Sequence, residues 1–190
     1  LLIEKTKLMF PKLFMTVWVK TQNQIFLISK FNPKLMEGYR KNVAMVVLND
    51  KQDILICRRK GTENWQFPQG GIDENELIED AMYRELYEEV GLKKEDVSIV
   101  GKTNREIKYD IPKTIRSRVL GGKYKGQLQT WFLLRLEEKN SSINLDHDPS
   151  PEFDKFDWVS YWFPLSKIVD FKKEAYSCLL YTSPSPRDIR

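Results

Sequence analysis

The chain is poor in the residues that most often carry chemistry. Of its 190 residues one is histidine, His147, and two are cysteine, Cys57 and Cys178. A single imidazole excludes histidine-rich metal sites and argues against a Ser-His-Asp triad. Two thiols so far apart in sequence give neither a disulfide framework nor a zinc site. No apolar run approaches the roughly 20 residues that span a bilayer, so nothing points to a membrane. Charge is what the chain has in plenty, and catalysis here has to rest on carboxylates.

The length suits one domain with a sizeable core. The net charge of +4 is unevenly placed: residues 1–35 hold six lysines against Glu4, and residues 178–190 hold Arg187 and Arg190 against Asp188, which leaves −2 on residues 36–177. The basic balance belongs mainly to the ends and says little about the working domain. Residues 1–35 show no clear helical or strand period and read as a non-native upstream extension, with Met36 as initiator, or as a disordered leader. The tail 178–190 resembles the translated adapter of a sequencing library. The working domain is then 36–177.

Within it, strands and helices alternate. The apolar runs Asn42–Leu48 and Asp53–Cys57 flank Asn49-Asp50-Lys51-Gln52, a hairpin signal. A loop spans Gly70–Asn75 and a helix Glu76–Val90, with Asp73 or Asn75 as cap, Asp73 and Glu76 spaced as a capping box, and Gly91 closing the end. Further strands are expected at Val97–Lys102, Glu106–Tyr109 and Gln129–Leu136, and a last helix from Leu165 onward. Trp65, Trp131, Trp158 and Trp162 read as core or sheet packing rather than as platforms for a base.

On a helical wheel of about 100° per residue, Glu85, Glu88 and Glu89 share a face with Ile78, Ala81 and Met82. Three carboxylates thus sit on a surface that also favours burial. Such crowding is costly unless a cation offsets it, and oxygen-only ligands favour a hard divalent ion. On the wheel alone, a charged helix surface paired with lysines fits equally well, because Leu86 and Val90 blur the apolar face.

The spacing decides between them. From Gly70 the chain reads five residues, Glu76, seven residues, then Arg84-Glu85-Leu86-Tyr87-Glu88-Glu89-Val90-Gly91-Leu92. This string is similar to the Nudix hydrolase box at every fixed position over 23 residues, a far more specific signal than a lone glycine motif. The resemblance implies an α/β fold, an α/β/α sandwich with a mixed β-sheet, and hydrolysis of a phosphoric anhydride. It implies that Glu85, Glu88 and Glu89 bind Mg²⁺, with Mn²⁺ or Zn²⁺ accepted in its place. It further implies that Glu76 and Arg84 form an ion pair and that Gly70 and Gly91 serve backbone turns.

Substrate has to be read from the flanks. Trp65-Gln66-Phe67-Pro68-Gln69-Gly70-Gly71, Gly38-Tyr39-Arg40, Pro151-Glu152-Phe153-Asp154, Trp158-Val159-Ser160-Tyr161-Trp162 and Phe171-Lys172 resemble the bacterial RNA pyrophosphohydrolases and the related dinucleoside polyphosphate hydrolases. That similarity makes Glu152 a fourth metal-site carboxylate. It implies phosphate contacts at Arg40, Lys172 and Tyr109 and a nucleobase held between Arg59 and Phe171. The expected activity is conversion of 5′-triphosphate or diphosphate RNA ends to 5′-monophosphate, in the cytoplasm as part of mRNA decay. Hydrolysis of diadenosine tetra- or pentaphosphate is the alternative. Independently of any resemblance, Lys102–Lys125 carries eight cations against Glu106 and Asp110, a basic segment suited to a longer phosphate backbone.

Overall fold

The computed structural model describes residues 16–21, 24–29, 38–137 and 142–182. The chain divides into two units, 1–37 and 38–190. In the first, β1 (Thr16–Thr21) and β2 (Gln24–Ser29) form an antiparallel hairpin in register from Thr16↔Ser29 to Thr21↔Gln24. The rest of the expected leader, and residues 183–190 of the expected tail, lie outside the described residues.

The second unit is built on a mixed sheet. Its strands are β3 (Tyr39–Leu48), β4 (Ile54–Arg59), β5 (Trp65–Gln66), β6 (Gln69–Gly71), β7 (Val97–Lys102), β8 (Ile107–Asp110), β9 (Gly126–Leu136) and β10 (Phe153–Val159). The central path runs β10-β4-β3-β9-β7, with β5 on β4, β6 on β3 and β8 on β9. β3 and β9 pair in parallel from Tyr39↔Gly126 to Leu48↔Arg135. Val43, Met45 and Val47 pack on one face with Ala81, Met82, Leu86 and Val90 of α1 (Ile78–Val90). Ala44, Val46 and Leu48 pack on the other with Tyr176, Leu179 and Leu180 of α3 (Asp170–Thr182). The period of two along a strand thus feeds two cores, with helices on both faces as expected for an α/β/α sandwich. This double burial hides alternation in the sequence, which reads as a continuous apolar run.

β3 and β4 share a single paired position, Leu48↔Ile54, before they part. The gap between them is filled by β6 against β3 and β5 against β4. This split in the sheet positions the site.

Several boundaries differ from expectation. α1 starts at Ile78, two residues late, because Asn75 takes φ 65° and no side chain caps the helix. Glu76 instead accepts from the Asp73 N–H in a turn ahead of it. The C-terminus follows the expected pattern: Gly91 takes φ 74° and its N–H donates to the Tyr87 carbonyl. The last helix is two, α2 (Pro164–Lys167) and α3, separated by extended backbone at Ile168. α3 runs through Leu179 and Leu180, both buried, to Thr182. Trp131 is core, Trp65 packs against the same core and Trp158 against the one under α1, but Trp162 is exposed and meets Tyr181 at a tilt, with ring centroids 5.0 Å apart. Its neighbours Tyr161 and Pro164 take the buried positions at that corner.

Candidate active site

α1 lays its acidic face against the split. Glu85 approaches β6, where a β-carbon on Gly70 would collide with its carboxylate. Gly70 is therefore not a turn residue, as the box resemblance implied. It lies within β6, paired with Val43, and the absent side chain makes room for Glu85. Gly71 does the same for Arg40, whose guanidinium occupies the space of its missing β-carbon.

Glu89 enters the split itself. It is almost fully buried, and its Oε2 accepts the Gln69 N–H at 2.6 Å. Burial pushes its carboxyl well above the ordinary range, and the nearby carboxylates of Glu152 and Glu85 push in the same direction. Burial also raises Glu85, with Glu88 adding to the effect and Arg84 and Arg40 opposing it. Arg84 organises the outer rim. Its Nε and Nη2 bind both oxygens of Glu76 at 2.7 and 2.8 Å, Nη2 also reaches the Gly71 carbonyl, and Nη1 reaches Glu85 and Glu88. The bond from Arg84 holds the Glu76 carboxyl below its ordinary value. Glu152, just before β10, lies 3.4 Å from the Arg59 guanidinium, and its carbonyl accepts from the Lys60 N–H.

The four glutamates are neighbours but do not close on a common point. Arg84 binds Glu85 and Glu88, the Gln69 N–H holds Glu89, and Arg59 pairs with Glu152. Among the described residues no three acidic, histidine or cysteine side chains are grouped as ready ligands.

On the α3 side lies the other half. Lys172 is buried, donates from Nζ to Gln66 Oε1 at 3.0 Å, and sits 5.5 Å over the Tyr109 ring. Burial lowers it to about 8; Arg59 adds to the lowering, while Glu89 and Glu152 oppose it. Lys172 and the carboxylates thus act on one another through the split. Tyr109 is buried and gives its hydroxyl proton to Gln127 Oε1 at 2.6 Å. Phe171 is half-buried against Tyr109, with centroids 5.8 Å apart. Arg59 and Phe171 have separate partners, Glu152 and Tyr109, and no cation–π contact joins them among the described residues. An open cleft of about 590 Å³ adjoins the site at Arg40 and Glu76 and is lined by Tyr39 and Tyr124.

Sequence reasoning passed over the amides beneath these groups. Gln129 Nε2 donates to Asn42 Oδ1 at 2.8 Å and to Gln69 Oε1 at 3.0 Å, all on or beside the α3 face of the sheet. The available signal was a run of polar residues, Gln127, Gln129 and Thr130, inside an otherwise apolar strand; all three are buried.

Residues 38–178 match the family described as NUDIX domain. An RNA pyrophosphohydrolase of Aliivibrio fischeri strain MJ11 is 47% identical over 140 residues, covering 74% of this chain and 82% of that protein. One from Vibrio atlanticus is 48% identical over the same length, covering 74% and 81%. In structure, the chain resembles the E. coli dihydroneopterin triphosphate pyrophosphohydrolase at TM-score 0.58 and 19% identity, covering 77% of this chain and 100% of the other. It also resembles a C. elegans Ap4A hydrolase at TM-score 0.54 and 16% identity, covering 76% and 96%; at such identities the likeness speaks for the fold. With the match covering residues 38–178 of the second unit and the box intact, the chain belongs to the Nudix family.

Proposed function

We propose that this protein hydrolyses the pyrophosphate linkage at the 5′ end of RNA, leaving a 5′-monophosphate. The observation that carries this reading is the meeting of Glu89 and Lys172 at one split in the sheet: desolvated carboxylates on one side, a desolvated ammonium on the other. A polyphosphate end needs both, cations for its oxygens and acids for the water and the metal. The names of relatives near 47% identity support RNA as the substrate.

Glu85, Glu88, Glu89 and Glu152 suit a hard divalent cation by their donor set, oxygen alone, and by the burial of Glu89, which the Gln69 N–H and Arg59 offset only in part. When bound, Mg²⁺ (or Mn²⁺ or Zn²⁺) neutralises phosphate oxygens and acidifies water. Arg40 and Lys172 hold the 5′ phosphates, Lys172 as a point charge and Arg40 as a planar fork. Tyr109 supports Lys172 from below, and Arg59 and Phe171 flank the base. A water oxygen bonds to phosphorus, the bridging P–O bond breaks, and its electron pair leaves with phosphate or pyrophosphate. Glu85 and Glu152 are the carboxylates able to take the proton of that water. Glu76 and Arg84 hold α1 to the β6 loop so that these groups stay aligned. This reading carries with it a cytoplasmic role in mRNA decay; among the described residues no helix is long and apolar enough to cross a membrane.

A side-by-side assay of 5′-triphosphorylated RNA and diadenosine tetraphosphate with Mg²⁺ tests it. Monophosphorylated RNA should form with the higher kcat/KM. Preference for the dinucleotide would replace RNA by a small nucleotide, and no turnover of either would leave a binding module.

A further inference from the structure

The buried ammonium of Lys172 donates to a residue that the family box does not contain, Gln66. Lys172 and Gln66 are both more than nine-tenths buried, and among the described residues Gln66 is the one hydrogen-bond acceptor for this ammonium. An ammonium has three donors and no acceptor. With one directed to Gln66 Oε1 and the Tyr109 ring beneath, the others are left for a ligand. Gln66 is itself fixed, because its backbone pairs with Cys57 across β5 and β4 at the split.

The chemistry of position 66 is specific. Packing alone would be met by methionine or leucine with no polar group to desolvate. The amide instead carries a cost: its Nε2 is buried with no partner. A carboxylate at this position would bind Lys172 more strongly, but it would cancel the charge that a phosphate needs. A neutral oxygen aims the cation and leaves its charge available.

We propose that Gln66 is a positioning residue that aims Lys172 Nζ at the 5′-phosphates of the substrate. This rests on the assignment of Lys172 to phosphate made above.

Steady-state kinetics of Gln66→Met, Gln66→Glu, Lys172→Met and the Gln66→Met/Lys172→Met pair, on 5′-triphosphorylated RNA, test it. Gln66→Met should raise KM roughly tenfold, the worth of one charge-assisted hydrogen bond, with kcat little changed. Gln66→Glu, near-isosteric, should raise KM further, and it carries the test alone if the methionine variant does not fold. In the Lys172→Met background, Gln66→Met should add nothing. An undiminished effect in that background, a fall in kcat at constant KM, or a glutamate variant equal to wild type would each overturn the role of Gln66. Wild-type protein inactive on this RNA would instead count against the substrate assignment. Binding of a non-hydrolysable nucleoside triphosphate to the same proteins then decides Gln66 separately, through the same ordering of Kd or its absence.

Discussion

The carboxylate of Glu85 rests against the bare α-carbon of Gly70, in the space where any other residue would place its β-carbon. The two are fifteen positions apart, one on α1 and one on β6, and the helix can bring its acidic face to the sheet only because that strand has no side chain there. Gly70→Ala should therefore displace Glu85 rather than strain the backbone. A shift of about 1 Å in a reacting group can cost about a hundredfold in rate, so kcat should fall by roughly that factor. Urea unfolding should show a smaller change, since Glu85 can swing outward. A turnover equal to wild type would mean that Glu85 is not needed where it sits.

Arg84 is the second link between helix and loop, and its geometry demands a guanidinium. Five donors reach Glu76, Glu85, Glu88 and the Gly71 carbonyl. Lysine keeps the charge but not the fork. For a pair that is neither fully exposed nor fully buried, Arg84→Lys should cost about 2 kcal/mol of stability, read from urea midpoints. A cost no larger than that of a surface pair would show that the fork adds nothing.

These contacts mark where the sequence was legible and where it was not. The box gave the helix, the carboxylates and the Glu76–Arg84 spacing, because a period of 3.6 residues and fixed offsets are local properties. The box resemblance implies a turn at Gly70, whereas the reason for a glycine there is a contact with Glu85, fifteen residues away. The late start of α1 depends on the left-handed backbone of Asn75, for which the string offers equal grounds in Asp73. The buried roles of Gln66 and Gln129 have no local signal, because polar residues in strands usually face water; Gln66 is placed by the parting of β3 from β4, and Gln129 by its bond to Gln69 of the β6 that fills it. That parting is a tertiary fact with no local signature.

The basic segment offers a test that separates RNA from small nucleotides. Lys113, Arg118 and Lys123 are exposed on the loop between β8 and β9. If they follow a longer phosphate chain, changing all three to alanine should raise KM for RNA while leaving diadenosine tetraphosphate turnover unchanged. The slope of log KM against log salt should shrink by about 2, at about 0.7 per lost single-strand phosphate contact. An unchanged slope would return these residues to the status of a solvated loop.

Glu89 allows chemistry and stability to be moved in opposite directions. As the most desolvated carboxylate of the cluster, it is the one whose charge a cation would compensate most. Glu89→Gln keeps its shape and the acceptor for the Gln69 N–H, so the fold should survive while kcat drops by several orders of magnitude, within the range that metal-assisted hydrolysis can supply. The stability effect has a definite sign. Because its folded-state carboxyl is raised above the ordinary value of 4.5, the native state binds more protons than the unfolded state once pH exceeds that value. Stability of the metal-free protein should then fall as pH rises from about 4.5 towards neutrality, the reverse of a carboxylate held in a salt bridge. Glu85, raised in the same direction, contributes to the same slope. Urea midpoints taken in chelator across this range should decline for wild type and decline less for Glu89→Gln, which should also be the more stable of the two near pH 7. A variant less stable than wild type at neutral pH, with an unchanged slope, would mean that Glu89 is compensated in the free protein and that no cation is needed to balance it.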